Sequence, residues 1–132
     1  MPTEHDLKKL LSSMQPELHP DVFVFCTLPI NQKIPENIKP LSQFQETEGT
    51  AIIVRRYEAE KAGVAFQFPS RMIMLKVYSA LDAVGFLAAI TTCLAKAGIS
   101  VNPISAYHHD HLFVPEHRAE EVMKLLFELT QT

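Results

Sequence analysis

The sequence has few features of disulfide-stabilised, secreted or membrane-spanning proteins. Its two cysteines, Cys26 and Cys93, lie in apolar segments without a surrounding motif, so reduced and buried side chains are favoured over a disulfide or a catalytic thiol. The longest apolar stretches, residues 22–28 and 86–90, are too short to span a bilayer, and residues 1–9 contain no apolar signal-peptide core. These features predict a cytoplasmic protein.

The charge distribution also gives no indication of a nucleic acid or a membrane as a partner. The 12 Lys and Arg residues are scattered among 15 Asp and Glu residues, and the net charge is −3 at pH 7. Binding to a polyanion would instead require clustered basic side chains. With 47% hydrophobic and 20% charged residues, the 132-residue chain is predicted to fold as one ordinary globular domain or two very small ones.

The motifs by which common enzyme classes are recognised are missing as well. The sequence has no HExxH, paired CxxC, GxSxG, glycine-rich phosphate loop or Rossmann fingerprint. Glu46 and Glu48, with the arginines at 55 and 56, could form an acid–base group, but alternating charges beside a strand are typical of a solvated surface. We therefore expect no enzymatic activity and no cofactor.

Hydropathy periodicity and turn residues predict alternating helices and strands. The first half is predicted to contain a helix over 6–14, a strand over 22–28, a short extended piece at 41–44, a strand over 50–55, a helix over 57–62 and an edge strand over 65–68. Prolines are expected to stop the first helix within 15–20, to keep 29–40 a loop and to end the edge strand at Pro69.

The second half is predicted to contain a strand over 72–78, a turn over 79–84, a helix over 86–97, strands over 99–107 and 111–114, and a final helix. Gly98 suits the end of the longer helix, and Pro115 suits the start of the last one. The buried stripe of that last helix is predicted to be Ala119, Val122, Met123, Leu126 and Leu129.

The two halves follow the same cycle of elements, offset by one strand, and a short residue-level echo supports an internal duplication. Ile52-Ile53-Val54 and Ala59-Glu60 precede Leu112-Phe113-Val114 and Ala119-Glu120 by a constant sixty positions. Upstream, the offset is expected to grow by nearly twenty, about the length of an insertion between residues 29 and 49. A repeated α+β unit of this kind predicts two sheets, each covered by helices on one face.

The turn that precedes the helix at 86–97 is the first candidate for ligand binding. Gly85 allows the backbone to approach a ligand closely, and the free N–H groups of the first helical turn can hold a carboxylate. Alternatively, Ser79 or Asp82 caps the helix while Gly85 relieves crowding, which is the commoner role of such residues.

The run His108-His109-Asp110-His111 is the second candidate, because all four are metal-ligand residue types. Neighbours on a strand point to opposite faces, so only alternate residues share a side, and a third ligand such as His117 would be needed. A metal site is therefore disfavoured. Asp110 is interpreted either as a tight-turn residue between two antiparallel strands or as a carboxylate that receives a ligand's ammonium or guanidinium group.

Several of these segments together resemble the ACT domain family. The family has a glycine at the turn from its first strand to its first helix and an "LAxxGI" helix exit, which residues 76–79, 84–87, 94–100 and 104–105 resemble. More specifically, Asp110-His111-Leu112-Phe113-Val114-Pro115 resembles the "DHxxVP" hallmark of small bacterial tandem-ACT proteins and is similar to the cytosolic arginine-sensor branch in animals. Likeness at residues 10–16 and 24–27 extends the resemblance over most of the chain.

The resemblance implies two ferredoxin-like βαββαβ modules with antiparallel sheets and helices on one face. The N-terminal module would span 1–70, with the insertion at 29–49, and the C-terminal module would span 71–132. An amino acid is expected to bind at an interface between modules. The site residues carried over by the resemblance are Ala83, Val84, Gly85, Phe86, Ile104, Ser105, Ala106, Tyr107 and Asp110.

In that site, backbone groups near Ala83, Val84 and Gly85 would hold the ligand carboxylate, main-chain groups of residues 104–107 would line the pocket, and Asp110 would meet a cationic end of the ligand. ACT sites for small amino acids often have Asp, Arg or Asn just before the turn glycine, whereas Ala83 and Val84 stand here. The resemblance therefore does not identify the amino acid.

These implications predict a non-enzymatic regulatory protein that senses a small molecule, forms a homodimer or higher homo-oligomer and signals to an unidentified effector protein. A structural or oligomerisation module with no retained ligand is the alternative, because small sheets with an exposed edge often pair with a copy of themselves. A third hypothesis is a metal-dependent enzyme centred on residues 108–111.

Overall fold

The computed structural model describes residues 6–77 and 84–131, which form a mixed succession of helices and strands. In chain order these are α1 (Leu7–Ser13), β1 (Gln15–Leu28), β2 (Ser42–Gln45), β3 (Thr50–Arg55), α2 (Arg56–Ala62), β4 (Gln67–Lys76), α3 (Phe86–Lys96), β5 (Asn102–Ser105), β6 (Asp110–Pro115), a 3-10 turn (Glu116–Arg118) and α4 (Ala119–Thr130). None of the helices in this described part of the chain is long and apolar enough to cross a membrane.

The chain divides into two compact units. The middle unit is Asp21–Ser70, and the terminal unit consists of the described residues of Met1–Pro20 and Arg71–Thr132. β1 and β4 both cross a unit boundary, so each contributes residues to both units. These bounds differ from the predicted modules 1–70 and 71–132, because residues 6–20 belong to the terminal compact unit. The predicted module bounds stay a prediction.

Each unit has the strand arrangement expected of the predicted α+β class. The strands of the middle unit are ordered β2-β3-β1-β4, and those of the terminal unit β1-β4-β6-β5. From β4 onward the terminal unit runs β-α-β-β-α, whereas in the middle unit residues 29–41 connect β1 to β2 without a helix. The predicted ferredoxin-like architecture is confirmed, with the first helix of one copy replaced by a loop.

The two hairpins of the chain have the same register, which confirms the predicted duplication. Ser42 pairs with Ile53 in the first hairpin, and Asn102 pairs with Phe113 in the second, so both partners differ by sixty positions. The remaining pairs keep this offset to the ends of β2 and β5. A hydrogen bond from the Glu46 N–H to the Gly49 carbonyl (2.8 Å) closes one turn, and the equivalent bond from Ala106 to His109 (3.0 Å) closes the other.

The predicted growth of the offset upstream of β3 was wrong. The counterpart of β5 is β2, which was expected only as a short extended piece, and not the apolar strand at 22–28. Most of β2 is exposed and its sequence, Ser-Gln-Phe-Gln, has no apolar alternation, so hydropathy could not identify its equivalence. The offset thus stays at sixty through β2, and the difference in length lies in the β1–β2 connection.

Three prolines lie inside strands, although Pro16 and Pro20 were predicted only to stop the first helix and Pro69 was predicted to end an edge strand. Pro16 and Pro20 belong to β1, and Pro69 belongs to β4. Residues 15–20 form the end strand of the terminal unit, and residues 67–70 form the end strand of the middle unit. Proline is tolerated on an end strand because the missing N–H can face away from the neighbouring strand.

Each unit has a hydrophobic core of its own. The core of the terminal unit combines one face each of α1, α3 and α4 with β4 and β6, and it includes Leu10, Leu75, Ile90, Leu112 and Leu126. The core of the middle unit includes Val24, Cys26, Ile38, Ile52 and Val54. Helix α4 buries Ala119, Val122 and Leu126 fully, and Met123 and Leu129 only in part.

The two cysteines differ in burial. Cys26 is buried, and burial raises the pKa of its thiol. Cys93 is only half-buried on α3, so the expectation of two buried cysteines was correct for Cys26 and wrong for Cys93. Both are free thiols.

Candidate functional site

The first part of the candidate site is the start of α3, at Val84, Gly85 and Phe86. Gly85 is the N-cap residue in a left-handed conformation (φ +92°), and it has no side chain with which to cap the helix. The first intrahelical bond runs from the Ala89 N–H to the Gly85 carbonyl at 2.9 Å. The preceding N–H groups of this helical turn therefore have no intrahelical acceptor.

Gly85 is required for its backbone conformation rather than for space. A Cβ atom at this position would contact only Leu7 Cδ2, at an ordinary 3.6 Å, whereas a φ of +92° is rarely adopted by residues with a side chain. The prediction that glycine relieves crowding was therefore wrong. Val84 is 84% exposed and Phe86 is buried in the core, so of these two side chains only Val84 is accessible to a ligand.

The second part of the candidate site is the β5–β6 hairpin, which carries Ile104, Ser105, Ala106, Tyr107 and Asp110. Ile104 pairs with His111 and Ser105 pairs with Asp110. Asp110 is the first residue of β6 and not part of the tight turn, which Ala106 and His109 close. The interpretation of Asp110 as a tight-turn residue was therefore wrong.

The Asp110 carboxylate is held in place by its neighbour across the hairpin. The Ser105 hydroxyl donates a short hydrogen bond to Asp110 Oδ1. This bond fixes the carboxylate while its second oxygen can accept bonds from a cationic group. Tyr107 is 77% exposed and its ring packs edge-on against His108, with the ring centroids 4.9 Å apart, so the turn presents an accessible aromatic surface.

His111 lies on β6 opposite Ile104. Burial lowers the pKa of His111 below the usual imidazole value and the charge of His109 adds to this decrease, while a backbone hydrogen bond with Ile104 opposes it. The imidazole is thus favoured in its neutral form. Within residues 6–77 and 84–131, no group of three His, Cys, Asp or Glu side chains is arranged to hold a metal ion.

The structure brings together only part of the predicted site. Ser105 and Asp110 are in contact, and Ala106 closes the adjoining turn. Val84–Phe86 begin a different element of the same compact unit, where Gly85 neighbours Leu7. Ala83 and residues 79–82 of the predicted turn, including the proposed caps Ser79 and Asp82, lie outside the described residues.

Two charged residues that sequence reasoning missed occupy equivalent positions after β3 and β6. Arg118 donates from Nη1 to the Gly98 carbonyl (3.0 Å) and from Nη2 to the Ala97 carbonyl (3.3 Å), so it satisfies the end of α3. Glu58, sixty positions earlier, is 8% exposed and its Oε2 accepts a bond from the Lys39 N–H (3.0 Å) in the 29–41 loop. The sixty-residue repeat was the signal that could have linked them.

Arg55 also differs from the prediction of a solvated charge. Its Nε donates to Asp21 Oδ2 at 2.7 Å, and its guanidinium lies 5.4 Å from the centroid of the Phe23 ring. The hydrogen bond to Asp21 raises the pKa of Arg55. This arginine therefore stabilises the start of β1 in the middle unit.

Comparisons with known proteins identify the repeated unit. One ACT domain model matches residues 2–71, and a second ACT domain model matches residues 67–128. No curated protein matches the chain.

Solved structures show the same fold over nearly the whole chain. A Vibrio cholerae protein, described as of unknown function and a possible transport protein, is 36% identical over 94% of this chain and 95% of that chain, with a TM-score of 0.84. A protein from Agrobacterium tumefaciens is 17% identical over 89% of both chains (TM-score 0.76). The ligand-free regulatory subunit of aspartate kinase from Thermus thermophilus is 12% identical over 90% of this chain and 97% of that chain (TM-score 0.66). The last two similarities show the fold alone.

Proposed function

Because the chain belongs to the ACT domain family, with two tandem domains, we propose that it is a non-enzymatic regulatory protein that senses a free amino acid. The tandem match carries the proposal, since ACT domains are regulatory, ligand-binding modules. The regulatory subunits of aspartate kinase support it through their shared fold. The predicted cytoplasmic location and the unidentified effector protein stay predictions.

The proposed site combines two features of the terminal unit, the start of α3 and the Asp110 carboxylate. The ligand carboxylate would accept bonds from the N–H groups that follow Gly85, because the N-cap residue has no side chain and no acidic residue lies in the first helical turn. Main-chain groups of residues 104–107 would line the site, which we propose lies at an interface between ACT modules. The ligand's other end would meet Asp110.

Asp110 is the residue that would select the ligand. Its carboxylate is fixed by Ser105, and an ammonium or guanidinium group could bond to the remaining oxygen. Residues 110–115 also resemble the "DHxxVP" hallmark of small bacterial tandem-ACT proteins. The same residues are similar to the cytosolic arginine-sensor branch in animals. We therefore propose arginine or lysine as the ligand, ahead of small neutral amino acids.

A thermal-shift screen of the twenty amino acids tests this proposal. At a ligand concentration one hundred times the dissociation constant, binding adds about 2.7 kcal/mol to the free energy of unfolding. For a chain of this length that corresponds to a rise of roughly 10 °C in Tm. A flat response to all twenty compounds would leave the structural or oligomerisation module as the remaining function.

Matched variants test the site itself. Val84→Asp would place a carboxylate beside the ligand's own carboxylate and should abolish the thermal shift. Val84→Asn introduces a side chain of nearly the same shape as aspartate but without the charge, and it should retain the shift. Asp110→Asn should abolish the response to cationic amino acids. Glu48→Gln removes the same charge from the exposed turn of the other hairpin and should change nothing. If the response is equal in Asp110→Asn and Glu48→Gln, Asp110 does not contact the ligand.

A further inference from the structure

One face of helix α4 lines an open groove by itself. The residues of α4 that are buried in the core, Ala119, Val122 and Leu126, lie on another side of the helix. The residues that line the groove follow the i, i+3, i+4, i+7 spacing of a single helix face. The groove has a volume of about 510 Å³ and is lined by Glu120, Met123, Lys124, Phe127, Glu128 and Gln131. This α4 groove therefore has a single wall, and a second helix has the shape to complete it.

The middle of the α4 groove is apolar. Phe127 is 52% exposed, and Met123, one helical turn before it, is half-buried. Exposed positions of α3 carry much smaller side chains, at Ala88, Thr92 and Ala95. A large aromatic side chain on an open helix face gains free energy when a partner covers it. The α4 groove is thus better suited to helix packing than the outer side of α3.

Charged side chains follow one edge of the α4 groove in a row of alternating sign. Glu120, Lys124 and Glu128 are spaced four residues apart, and all three are exposed. In an antiparallel pair of identical helices, the two-fold axis places each residue of one helix opposite its mirrored position on the other. With the axis level with Leu126, Lys124 lies opposite Glu128 of the second copy, and Glu128 lies opposite Lys124 of the second copy. The row is therefore complementary to itself.

We propose that α4 packs antiparallel against α4 of a second copy of this chain, about a two-fold axis level with Leu126. Phe127 lies one residue from that axis, so the two Phe127 rings meet at the centre and two Lys124–Glu128 ion pairs flank them. Antiparallel packing also places opposite ends of the two helix dipoles side by side. The self-complementary charges favour a second copy over a different protein, whose charges would have to match this row independently.

Sedimentation equilibrium of the purified full chain over a series of concentrations, without amino acids, tests the α4 interface. The wild type should self-associate. Lys124→Glu converts both unlike pairs into like pairs and should weaken association about 10-fold or more, and Glu128→Lys should have the same effect. Both positions are exposed, so the fold should survive the changes. Lys61→Glu makes the same charge reversal at an exposed position of α2 and should associate like the wild type.

Combining the two charge reversals distinguishes an interface from general damage to the helix. The double variant Lys124→Glu/Glu128→Lys keeps the wild-type net charge and restores both ion pairs with their signs exchanged, so it should associate within about 3-fold of the wild type. An equimolar mixture of the two single variants should also associate, because one chain then carries two acidic and the other two basic side chains at these positions.

Phe127→Gln tests the apolar centre and should weaken association about 10-fold or more, because the aromatic contact at the axis is lost. Tyr57→Gln removes a similarly exposed aromatic side chain from α2 and should change nothing. A monomeric wild type would leave the α4 groove to a different protein and would overturn the proposal. Association of Lys124→Glu as tight as that of the wild type, or a mixture that associates no better than its two components, would overturn it as well. The amino-acid response is measured separately, so the failure of either proposal can be recognised without the other.

Discussion

The carbonyl groups at the end of α3 are bonded by Arg118, and a charge reversal at this residue measures what that contact contributes. Arg118 also forms a bidentate ion pair with Glu121, with both bonds at 3.0 Å. The two side chains are 28% and 48% exposed, so the ion pair itself should contribute about 0.5 kcal/mol or less. The bonds to the Gly98 and Ala97 carbonyls should contribute about 1 kcal/mol each.

We therefore expect Arg118→Glu to lower the free energy of unfolding by about 3 kcal/mol, because it removes these donors and adds a negative charge at the negative end of the helix dipole. Arg118→Lys keeps the charge without the planar fork and should lose about 1 kcal/mol. Lys33→Glu makes the same charge change at an exposed loop position and should stay within about 0.5 kcal/mol of the wild type.

Glu58 provides the reciprocal half of the experiment. The Glu58 carboxylate accepts a bond from an N–H group of the 29–41 loop, whereas the Arg118 guanidinium donates bonds to carbonyl groups. The two equivalent positions therefore require side chains of opposite charge. Glu58→Arg should lose about 3 kcal/mol, because it removes the acceptor and buries a second donor beside the Lys39 N–H. Glu58→Gln keeps an acceptor oxygen and should stay within about 1 kcal/mol of the wild type.

Urea unfolding followed by circular dichroism measures all five variants. Unchanged slopes with shifted midpoints would show that stability, rather than the denatured state, was altered. The reasoning is refuted if Arg118→Glu and Lys33→Glu have the same midpoint, since the bonds to the end of α3 would then contribute nothing measurable.

Two further predictions concern backbone geometry and pH. Gly49→Ala should lower the free energy of unfolding by about 3 kcal/mol or more, because a Cβ atom would lie 2.3 Å from the Leu28 carbonyl oxygen. Gly98→Ala has open space around the new Cβ atom and should lower it by only about 1 kcal/mol. Equal losses for the two variants in chemical denaturation would contradict this reasoning. Stability should fall as the pH drops below about 6.5, because unfolded His111 takes up a proton that the folded, lower-pKa imidazole resists. His111→Gln should therefore show a flatter pH dependence of the urea midpoint between about pH 7.5 and pH 5.5, and an unaltered profile would exclude His111 as the cause.

Local sequence signals account for several features of the fold. Asp6 caps α1 by accepting a bond from the Lys9 N–H at 3.1 Å, and Gly63 ends α2 in a left-handed conformation. Such caps depend on residues close in sequence, so they can be recognised without the tertiary structure. Strand β3 was predicted with its observed bounds, because its β-branched residues form a continuous apolar run.

Other features depend on which strands become neighbours, and the sequence does not contain that information locally. The prolines of β1 and β4 are compatible with strands only because they lie on end strands. The equivalence of β2 and β5 rests on register and not on hydropathy. Pairing partners decide both features, so periodicity within a single segment could not predict them.

The candidate site was predictable in its residue types but less so in its geometry. The glycine before α3 was found from the turn pattern, yet its positive φ, rather than crowding, is what requires it. Asp110 was singled out as a carboxylate in a hairpin, but its bond to Ser105 depends on the pairing of β5 with β6. Contacts across a hairpin follow only once its register is known.

A chain with two copies of a domain can hold two copies of the same binding site. The loop at 29–41 removes one of them. Without a helix after β1, the middle unit has no counterpart of the amino-terminal N–H groups of α3. Titration with an amino acid would then reach its end point at one molecule per chain. The two copies of the repeated unit would then differ in their capacity to hold a small molecule.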